Sequence, residues 1–473
     1  MQTTAHRFTE KASAALADRE LQGMLQQMRV HVPERRQAAV DALPEFETLR
    51  DRGRAIKDHV IANLDFYLER FEAKVTAAGG KVHWCADAAE ARDTILGICR
   101  KAGARTVTKG KTMVGEEIAI NAHLERHGMI PVETDLGEYI IQLRDEPPSH
   151  IIAPSFHVSA AQVADTFLEH HTHLDPKRPL GDIADLLSEA RGILRSRFLA
   201  ADVGITGANF LVAETGSTVI VTNEGNGDLT QTLPGVHIVL AGIEKVVPTL
   251  EDASTIMRIL ARSATGQEMS VYTTFSTGPR RPEDPDGPAE YHVVLLDNGR
   301  SAVLGTEFQD LLRCIRCGAC LDHCPIYHAV GGHSYGSVYG GPIGAALTPA
   351  LVGLEKSLDL PNASTLCGRC ESVCPMRIPL PKMLRNWREA AFDRHLMPAR
   401  ARWGLKLWAF LAKRPALYRR ISGAGARFLA WRGGKAGRIA SLPFAGGWTR
   451  WRDLPAPEGE TFQARWRRER GGA

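Results

Sequence analysis

The sequence predicts an α/β domain with a mainly parallel sheet, followed by a smaller helical domain built around cysteines. Short apolar runs alternate with helical patterns over residues 55–300, which is typical of parallel strands covered by helices. Seven of the nine cysteines lie in two tight groups within residues 305–390. The chain therefore divides into an N-terminal helical segment (1–54), the α/β domain (55–300), the cysteine-bearing domain (305–390) and a basic C-terminal tail (391–473).

The predicted elements follow in order along the chain. Residues 1–54 are polar and helical in pattern without a strong apolar stripe, and apolar residues spaced by three and four predict one helix over 55–77. Gly79-Gly80 ends that helix. Further helices are predicted at 88–101, 116–127 and 183–198. Apolar runs with strand composition stand at 81–84, 105–108, 130–134, 202–206, 217–222, 236–241, 270–275 and 291–296.

Both cysteine groups end in Cys-Pro. The first is Cys314-x2-Cys317-x2-Cys320-x3-Cys324-Pro325, and the second is Cys367-x2-Cys370-x3-Cys374-Pro375. The first spacing is the bacterial ferredoxin pattern for a 4Fe-4S cluster. Zinc sites use separated C-x2-C pairs, and disulfides need an oxidising compartment, for which the start of the chain shows no apolar signal segment. The motifs therefore predict a ferredoxin-type domain with two iron–sulfur clusters.

In two-cluster ferredoxins the fourth cysteine of a run binds the other cluster. This rule assigns Cys314, Cys317, Cys320 and Cys374 to cluster 1, and Cys324, Cys367 and Cys370 to cluster 2. The second group is one cysteine short, because Ser364 stands where the pattern requires one. The sequence leaves three alternatives open for the fourth site of cluster 2: Ser364, a solvent or substrate oxygen, or no ligand at all, which would give a 3Fe-4S cluster.

Polar residues at strand ends predict a binding cleft in the α/β domain, because ligands of open α/β sheets bind beyond the carboxyl ends of the strands. The candidate substrate-binding residues are Lys109, Lys111, Glu133, Asp135, Asn209, Glu214, Glu224 and Asn226. The two lysines flank Gly110 ahead of a helix, which favours a bound anion. Turn chemistry and solvated lysines are the alternative explanation for these residues, and the catalytic residues stay unknown.

Nucleotide chemistry is disfavoured by the same segment. A phosphate loop ending in Gly110-Lys111-Thr112 would need glycine at position 105, which is Arg105. No G-x-G-x-x-G follows a predicted strand, and no nicotinamide or flavin fingerprint is present. The redox partner is therefore expected to be another protein. Cys85 and Cys99, which lie outside both cysteine groups, are predicted to be small buried residues.

The net charge of +4 conceals a strong asymmetry. From Arg394 onwards there are 18 Lys and Arg against 4 Asp and Glu, a net of +14, which leaves −10 on the preceding residues. The basic tail is also rich in Trp and is expected to contact anionic lipid or an acidic partner, or else to be a solvated face. No run of 18 apolar residues predicts a membrane span, and no nucleic-acid recognition module is present.

Several segments together resemble one known family. They are residues 133–139 (ETDLGEY), 205–210 (ITGANF), 222–227 (TNEGNG), 314–320 (CIRCGAC), 331–339 (GGHSYGSVY) and 367–370 (CGRC). Residues 55–390 resemble the lactate utilisation protein B family well, and the tail resembles it more loosely. The resemblance implies that the α/β domain is an LUD domain, similar in fold to sugar-phosphate isomerases and CoA transferases. Ser364 agrees with the family pattern, which also lacks a cysteine there.

The resemblance also implies a function. The chain would be the iron–sulfur electron-transfer subunit of an oxidoreductase complex that oxidises L-lactate to pyruvate in the cytoplasm and allows growth on lactate. Its partners would be a cysteine-rich subunit, a second LUD-domain subunit and an acceptor protein or quinone, with the tail at the inner face of the membrane. The alternatives are a generic electron-transfer adaptor and an iron–sulfur sensor that binds a small anion through the LUD domain. Whether this chain alone is catalytic, and which subunit binds lactate, stay open.

Overall fold

The computed structural model describes residues 3–443, 445–449 and 452–470. A few positions lie outside the described residues: 1–2, at the start of the predicted helical segment, and 444, 450–451 and 471–473, in the basic tail. The chain divides into two compact units, Met1–Ala391 and Phe392–Ala473. The first unit contains the α/β and cysteine-bearing domains, and the second corresponds to the tail.

Helices α1 (Phe8–Ala17), α2 (Arg19–Asp41), α3 (Phe46–Ala62) and α4 (Leu64–Ala77) precede the first strand. The prediction of one helix over 55–77 is wrong, because that stretch is divided between α3 and α4. The chain leaves the helical conformation at Asn63, where φ is −136°, and the Asn63 amide donates a hydrogen bond to the carbonyl of His59 at 2.8 Å. Helix α3 also crosses the predicted boundary between residues 54 and 55.

The α/β domain contains ten strands among the described residues. They are β1 (Lys81–Cys85), β2 (Thr106–Lys109), β3 (Ile130–Glu133), β4 (Val203–Thr206), β5 (Phe210–Val212), β6 (Ser217–Thr222), β7 (Val236–Gly242), β8 (Val246–Val247), β9 (Tyr272–Ser276) and β10 (Glu290–Leu296). The helices between them are α5 (Ala88–Lys101), α6 (Met113–Glu117), α7 (Ile120–Arg126), α8 (Leu136–Leu143), α9 (Ala160–His170), α10 (Ile183–Leu199), α11 (Asn226–Thr232) and α12 (Leu250–Ala264). The predicted helix over 116–127 is wrong in extent, because Ala119 takes a left-handed φ of 51° between α6 and α7.

Six strands form a sheet in the order β1-β10-β7-β4-β2-β3, and every pair in it is parallel. The prediction of an α/β fold with a mainly parallel sheet is confirmed. The runs predicted at 217–222 and 270–275 are strands, but they belong to a second, four-stranded sheet in the order β8-β5-β6-β9. There β6 pairs antiparallel with β5 and with β9.

The two faces of the six-stranded sheet are covered by different helices. Ile205 and Leu240 pack on one face with residues of α5, α6 and α7. Val239 and Val293 pack on the other face with residues of α3 and α4. Strands buried on both faces have nearly continuous apolar sequences, which explains why β7 and β10 are readable as apolar runs although each contains one histidine, His237 or His292.

The cysteine-bearing domain is helical and rich in loops, with α13 (Ala319–Asp322), α14 (Tyr327–Val330), α15 (Gly341–Val352), α16 (Arg369–Ser372) and α17 (Leu380–Asp393). The N-terminal helices pack against its second cysteine group. Arg36 of α2 donates a hydrogen bond to the carbonyl of Val373 at 2.9 Å, and Arg50 of α3 donates to the carbonyl of Cys374 at 2.7 Å. These buried charge-assisted bonds hold the second cysteine loop in place.

The second unit contains α18 (Ala399–Ala412), α19 (Pro415–Gly433), α20 (Gly446–Thr449) and α21 (Phe462–Arg470), with a short antiparallel pair of β11 (Arg438–Ile439) and β12 (Leu454–Pro455). Helix α18 has no buried residue. None of the helices in the described residues combines the length and apolar character that a bilayer crossing needs.

Candidate functional site

The first cysteine group lies on a loop that leads into α13. Arg316 and Gly318 both take left-handed conformations, with φ of 59° and 78°, so the chain turns sharply between the cysteines. One pocket is lined by four thiols, those of Cys314, Cys317, Cys320 and Cys374. Its remaining lining is mostly apolar and includes Ile151, Ile315, Ile343, Pro375, Met376, Ile378 and Leu380. The structure therefore brings together the four cysteines that the cross-over rule assigns to cluster 1.

The remaining three cysteines form a second group. Cys324 and Cys370 are buried, whereas Cys367 is exposed. Burial raises the pKa of Cys370 to about 12, with further contributions from the Cys324 and Cys367 thiols. The pKa of Cys324 is likewise raised by burial and by Cys367. The three thiols therefore influence one another electrostatically, and their assignment to cluster 2 stays a prediction.

The shared pocket of the first cysteine group suits an iron–sulfur cluster. The thiols of Cys314, Cys317, Cys320 and Cys374 border this pocket, as the ligands at the corners of a cluster would. Burial raises the pKa of Cys374 to about 11, and positively charged iron would offset the cost of forming buried thiolates.

Backbone groups also contact the cluster 1 thiols. The N–H of Arg316 donates to the sulfur of Cys314 at 3.4 Å, and the N–H of Ile378 donates to the sulfur of Cys374 at 3.5 Å. Hydrogen bonds to ligand sulfur stabilise negative charge on it and tune the reduction potential of an iron–sulfur cluster. The residues around the first cysteine pocket are therefore compatible with the predicted iron–sulfur cluster.

A second feature is a cavity of about 380 Å³ at the carboxyl edge of the six-stranded sheet, a volume within the usual range for small-molecule sites. Five of the eight predicted substrate-binding residues line it: Lys111, Asp135, Asn209, Glu224 and Asn226. They follow strands β2, β3, β4 and, from the second sheet, β6. The structure thus brings five of these residues together at one cavity beyond the carboxyl ends of the strands, and their role in binding a substrate stays a prediction.

The other three predicted residues do not line this cavity. Lys109 and Glu133 are buried and form an ion pair at 2.8 Å, and Lys109 also pairs with Glu116 at 2.6 Å. Burial opposes the charge of Lys109, but the neighbouring carboxylates outweigh it and raise its pKa. Glu214 follows β5, and its carboxylate accepts a hydrogen bond from the N–H of Leu250 at 3.2 Å, at the start of α12.

Two basic residues of the cavity were not among the predicted site residues. Lys245 follows β7 at the same sheet edge, and burial lowers its pKa to about 8. The polar pair Glu244-Lys245 after an apolar strand is the sequence signal that would have identified it. Arg316 comes from the first cysteine loop. Its place in the cavity results from the packing of the two domains, for which no local sequence signal exists.

The cavity has a mixed electrostatic character. Lys111 Nζ lies 3.7 Å from Asp135 Oδ2. The pKa of Glu224 is raised by burial and then by the neighbouring Asp135. With Lys245 and Arg316, the cavity wall carries three basic and two acidic side chains. A small anion with hydrogen-bonding groups would therefore be compatible with this lining.

A buried ion network joins the α/β domain to the first cysteine loop. Arg300 binds the Glu117 carboxylate at 2.9 and 2.8 Å and Glu244 at 2.7 Å. The Arg316 guanidinium lies 3.5 Å from Glu244 and 4.7 Å from the ring centre of Tyr339, whose hydroxyl donates to Glu117 at 2.6 Å. Although burial opposes ionisation, Arg300 and Arg316 lower the pKa of Glu244 to about 2. The charged groups of this network thus stay ionised and hold Arg316 between the two domains.

Comparison with known proteins agrees with this architecture. The LUD domain matches residues 68–296, and the 4Fe-4S dicluster domain matches residues 310–378. Lactate utilization protein B of Bacillus licheniformis is 41% identical over 467 residues, covering 98% of this chain and 97% of its own. An uncharacterized electron transport protein of Escherichia coli K12, YkgF, is 42% identical over 435 residues, covering 91% of this chain and 90% of its own.

Among solved structures, a DUF162 family protein from Deinococcus radiodurans matches 49% of this chain and 98% of its own length at 15% identity. Its TM-score of 0.28 is too low to bear on the fold. The two domain matches and the sequence similarity over nearly the whole length show that the chain belongs to the lactate utilization protein B family.

Proposed function

We propose that this chain is the iron–sulfur electron-transfer subunit of a multi-protein complex that oxidises L-lactate to pyruvate and allows growth on lactate. The names of its relatives refer to lactate utilization and to electron transport. The observation that carries the proposal is the division of seven cysteines into two groups, one beside the cavity of the LUD domain and one with an exposed thiol.

Each group has a role in this proposal. Cys314, Cys317, Cys320 and Cys374 would hold cluster 1, and Cys324, Cys367 and Cys370 would hold cluster 2. Each cluster, when bound, carries one electron at a time, so two clusters suit the two-electron oxidation of lactate. The lining of the first pocket is mostly apolar, with Cys317 and Cys374 buried and Cys314 and Cys320 partly exposed, so it would shield a bound cluster in part from water. Cys367 is exposed, which brings the second group within reach of an electron acceptor.

The proposed complex contains a cysteine-rich subunit and a second LUD-domain subunit, as the family resemblance implies. It would work in the cytoplasm and deliver electrons to an acceptor protein or a quinone. Reconstitution from the three proteins, purified anaerobically, tests this composition. With L-lactate, the paramagnetic signals of reduced clusters are expected only when all three proteins are present.

A pair of cysteine variants sharpens the test. Cys317→Ala is expected to remove the cluster 1 signal and lactate oxidation together, while Cys85→Ala, a buried cysteine outside both groups, retains both. Lactate oxidation that survives in Cys317→Ala would contradict the electron-transfer role. Clusters that are present but never reduced by lactate would favour the generic adaptor or the anion sensor.

The tail is proposed to contact an anionic membrane surface. Trp403, Trp408 and Trp431 are 71, 62 and 76% exposed on helices that also carry many Lys and Arg residues. Exposed Trp beside basic residues is typical of interfacial helices. Full-length protein should sediment with phosphatidylserine vesicles but not with phosphatidylcholine vesicles. Trp408→Ser should weaken this binding and Trp84→Ser should not; equal binding by all three proteins would contradict the proposal.

A further inference from the structure

The cavity of the LUD domain and the pocket of the cluster 1 thiols share a wall. Arg316 and Ile151 line both spaces. Because Arg316 lies between Cys314 and Cys317 in the chain, one residue layer separates the cavity from the predicted cluster. A molecule bound in the cavity would therefore lie beside the first electron carrier.

Arg316 has unused binding capacity. Its side chain is 10% exposed, and its Nη1 has no hydrogen-bond partner among the described residues. The ion pair with Glu244 at 3.5 Å and the Tyr339 ring fix the guanidinium in place. A fixed guanidinium with a free Nη1 donor is suited to a charge-assisted hydrogen bond with a carboxylate or phosphate, and a buried donor without a protein partner calls for such an explanation.

The rest of the cavity distinguishes between these two anions. Lys111 and Lys245 add positive charge, but Asp135 and Glu224 add two carboxyl groups. Those carboxyl groups would repel a phosphate dianion, whereas they can accept hydrogen bonds from a hydroxyl group. A ligand with one carboxylate and a neighbouring hydroxyl or carbonyl oxygen would match both the basic side chains and the carboxyl groups of this cavity wall.

We propose that this cavity binds a small 2-hydroxy- or 2-oxocarboxylate, with its carboxylate held by Arg316, Lys245 and Lys111. The identity of the ligand as lactate or pyruvate rests on the proposed function. The proposal concerns binding, so no oxidation step is assigned to the cavity. Negative charge bound beside cluster 1 makes that cluster harder to reduce, and by reciprocity reduction of the cluster weakens ligand binding.

Calorimetry on anaerobically purified, cluster-loaded full-length protein tests this site with L-lactate, pyruvate, acetate and inorganic phosphate. Saturable binding of L-lactate or pyruvate with one ligand per chain is expected. Arg316→Lys should weaken it about tenfold or more, since it removes a charge-assisted hydrogen bond, and Lys111→Met should weaken it as well. Iron content identifies any variant that has lost its clusters.

A redox titration provides the second readout. Ligand binding should shift the cluster 1 potential to more negative values in the wild type and less in Lys111→Met. Lactate-driven reduction by the complex without binding of either acid to this chain would overturn the site and leave the proposed function intact. Binding without lactate-driven reduction would retain the site and contradict the function. Preferential binding of phosphate would overturn the carboxylate assignment.

An independent observation concerns the incomplete second cysteine group. The two cysteine loops repeat the same backbone conformation. Arg316 and Leu366 are left-handed at φ 59° and 55°, Gly318 and Gly368 are left-handed at φ 78° and 83°, and a short helix follows each glycine. In this register Ser364 corresponds to Cys314, because each stands two residues before the first left-handed residue of its loop.

The hydrogen bonding of the two residues matches as well. The N–H of Arg316 donates to the Cys314 sulfur at 3.4 Å, and the N–H of Leu366 donates to Ser364 Oγ at 3.1 Å. Arg388 of α17 donates to the carbonyl of Ser364 at 3.1 Å and so holds this residue in place. The side-chain oxygen therefore has the local geometry of a cluster ligand.

We infer that Ser364 Oγ is the fourth protein ligand of cluster 2. Binding forms an iron–oxygen bond, and the hydroxyl proton passes to solvent, as a thiol proton does when cysteine binds iron. No electron is transferred in this step. Of the three alternatives that the sequence left open, this one uses an oxygen that the fold already positions.

Iron analysis, Mössbauer spectroscopy and redox titration of three variants test the assignment. Ser364→Cys should keep about eight iron atoms per chain and shift the potential of cluster 2 but not of cluster 1. Ser364→Ala should lose about one iron atom per chain and show the signal of a three-iron cluster. Ser372→Ala, an exposed serine on α16, is the matched control. Identical cluster 2 spectra in Ser364→Ala and the wild type would overturn the assignment.

Discussion

Replacing Arg300 by methionine tests the buried ion network directly. Arg300 is buried and is the direct partner of two buried carboxylates, those of Glu117 and Glu244. Removing one partner of a buried pair leaves uncompensated charge and destabilises a protein by about 3–5 kcal/mol. Two neighbours compensate part of the charge that Arg300 leaves behind: Arg316 lies 3.5 Å from Glu244, and the hydroxyl of Tyr339 lies 2.6 Å from Glu117. We therefore expect Arg300→Met to lower the free energy of unfolding by about 3–5 kcal/mol in total, not by that amount for each of the two carboxylates.

Thermal unfolding of the cluster-loaded protein measures this loss. For large domains each kcal/mol lowers the melting temperature by about 2–4 °C, so Arg300→Met should melt at least about 6 °C below the wild type. Arg52→Met is the matched control. Arg52 forms an ion pair with Glu251 at 2.6 Å in which both side chains are exposed, and such pairs contribute about 0–1 kcal/mol.

Two results would refute this reasoning. Equal, small shifts for Arg300→Met and Arg52→Met would mean that the network is not desolvated. A double variant, Glu117→Gln with Arg300→Met, should be less destabilised than the sum of the two single variants, because the buried charge is removed together with its partner. Simple additivity would show that Arg300 and Glu117 do not interact as described.

The other predictions concern single sites. Cys320→Ala should lower the iron content of the purified protein, whereas Cys99→Ala, at a buried cysteine outside both groups, should not. Burial lowers the pKa of His237 to about 3; the unfolded chain therefore binds the proton first, and stability falls as the pH drops below about 6.5. From pH 7 to pH 5 this one group should remove about 2 kcal/mol, and thermal unfolding of His237→Gln should show a correspondingly weaker pH dependence. Gly204→Ala should destabilise by about 3 kcal/mol, because its Cβ would lie 1.9 Å from the carbonyl oxygen of Thr230. Gly97→Ala lies at an exposed position in the interior of α5, with no atom within 4 Å of its added Cβ, and should instead stabilise by about 0.5–1 kcal/mol. Urea unfolding should therefore show changes in unfolding free energy of opposite sign for Gly204→Ala and Gly97→Ala.

Elements that depend on local sequence were predictable. Strands β7 and β10 are mostly apolar runs, each with one histidine, and α5 begins and ends where its pattern predicts. Helix α12 was missed although Thr249 accepts a hydrogen bond from the N–H of Asp252 at its N-terminus, a start signal that is visible in the sequence. Strands β5 and β8, with three and two residues, are too short for any periodicity to appear.

The same distinction applies to the site. The spacing of the seven cysteines is a local property, so both groups were predictable. Lys111 and Asp135 were predictable because they follow recognised strands. Arg316 reaches the cavity only because the cysteine loop packs on the α/β domain, and Lys109 is occupied by Glu116 and Glu133 only through tertiary packing. Such contacts join residues that are distant in sequence, and no periodicity or spacing encodes them.

The contacts of Arg36 and Arg50 with the second cysteine loop have a consequence for synthesis of the chain. These hydrogen bonds join residues that are 337 and 324 positions apart. At about 5–20 residues per second, the ribosome needs about 16–65 s to make the partner of Arg50 after making Arg50 itself. During that interval α2 and α3 lack the backbone carbonyls that accept hydrogen bonds from their arginines, and the proposed cluster 1 lacks its predicted ligand Cys374. Docking of α2 and α3 and completion of the proposed cluster 1 ligand set are therefore expected to occur together and late in synthesis, after Cys374 has been made.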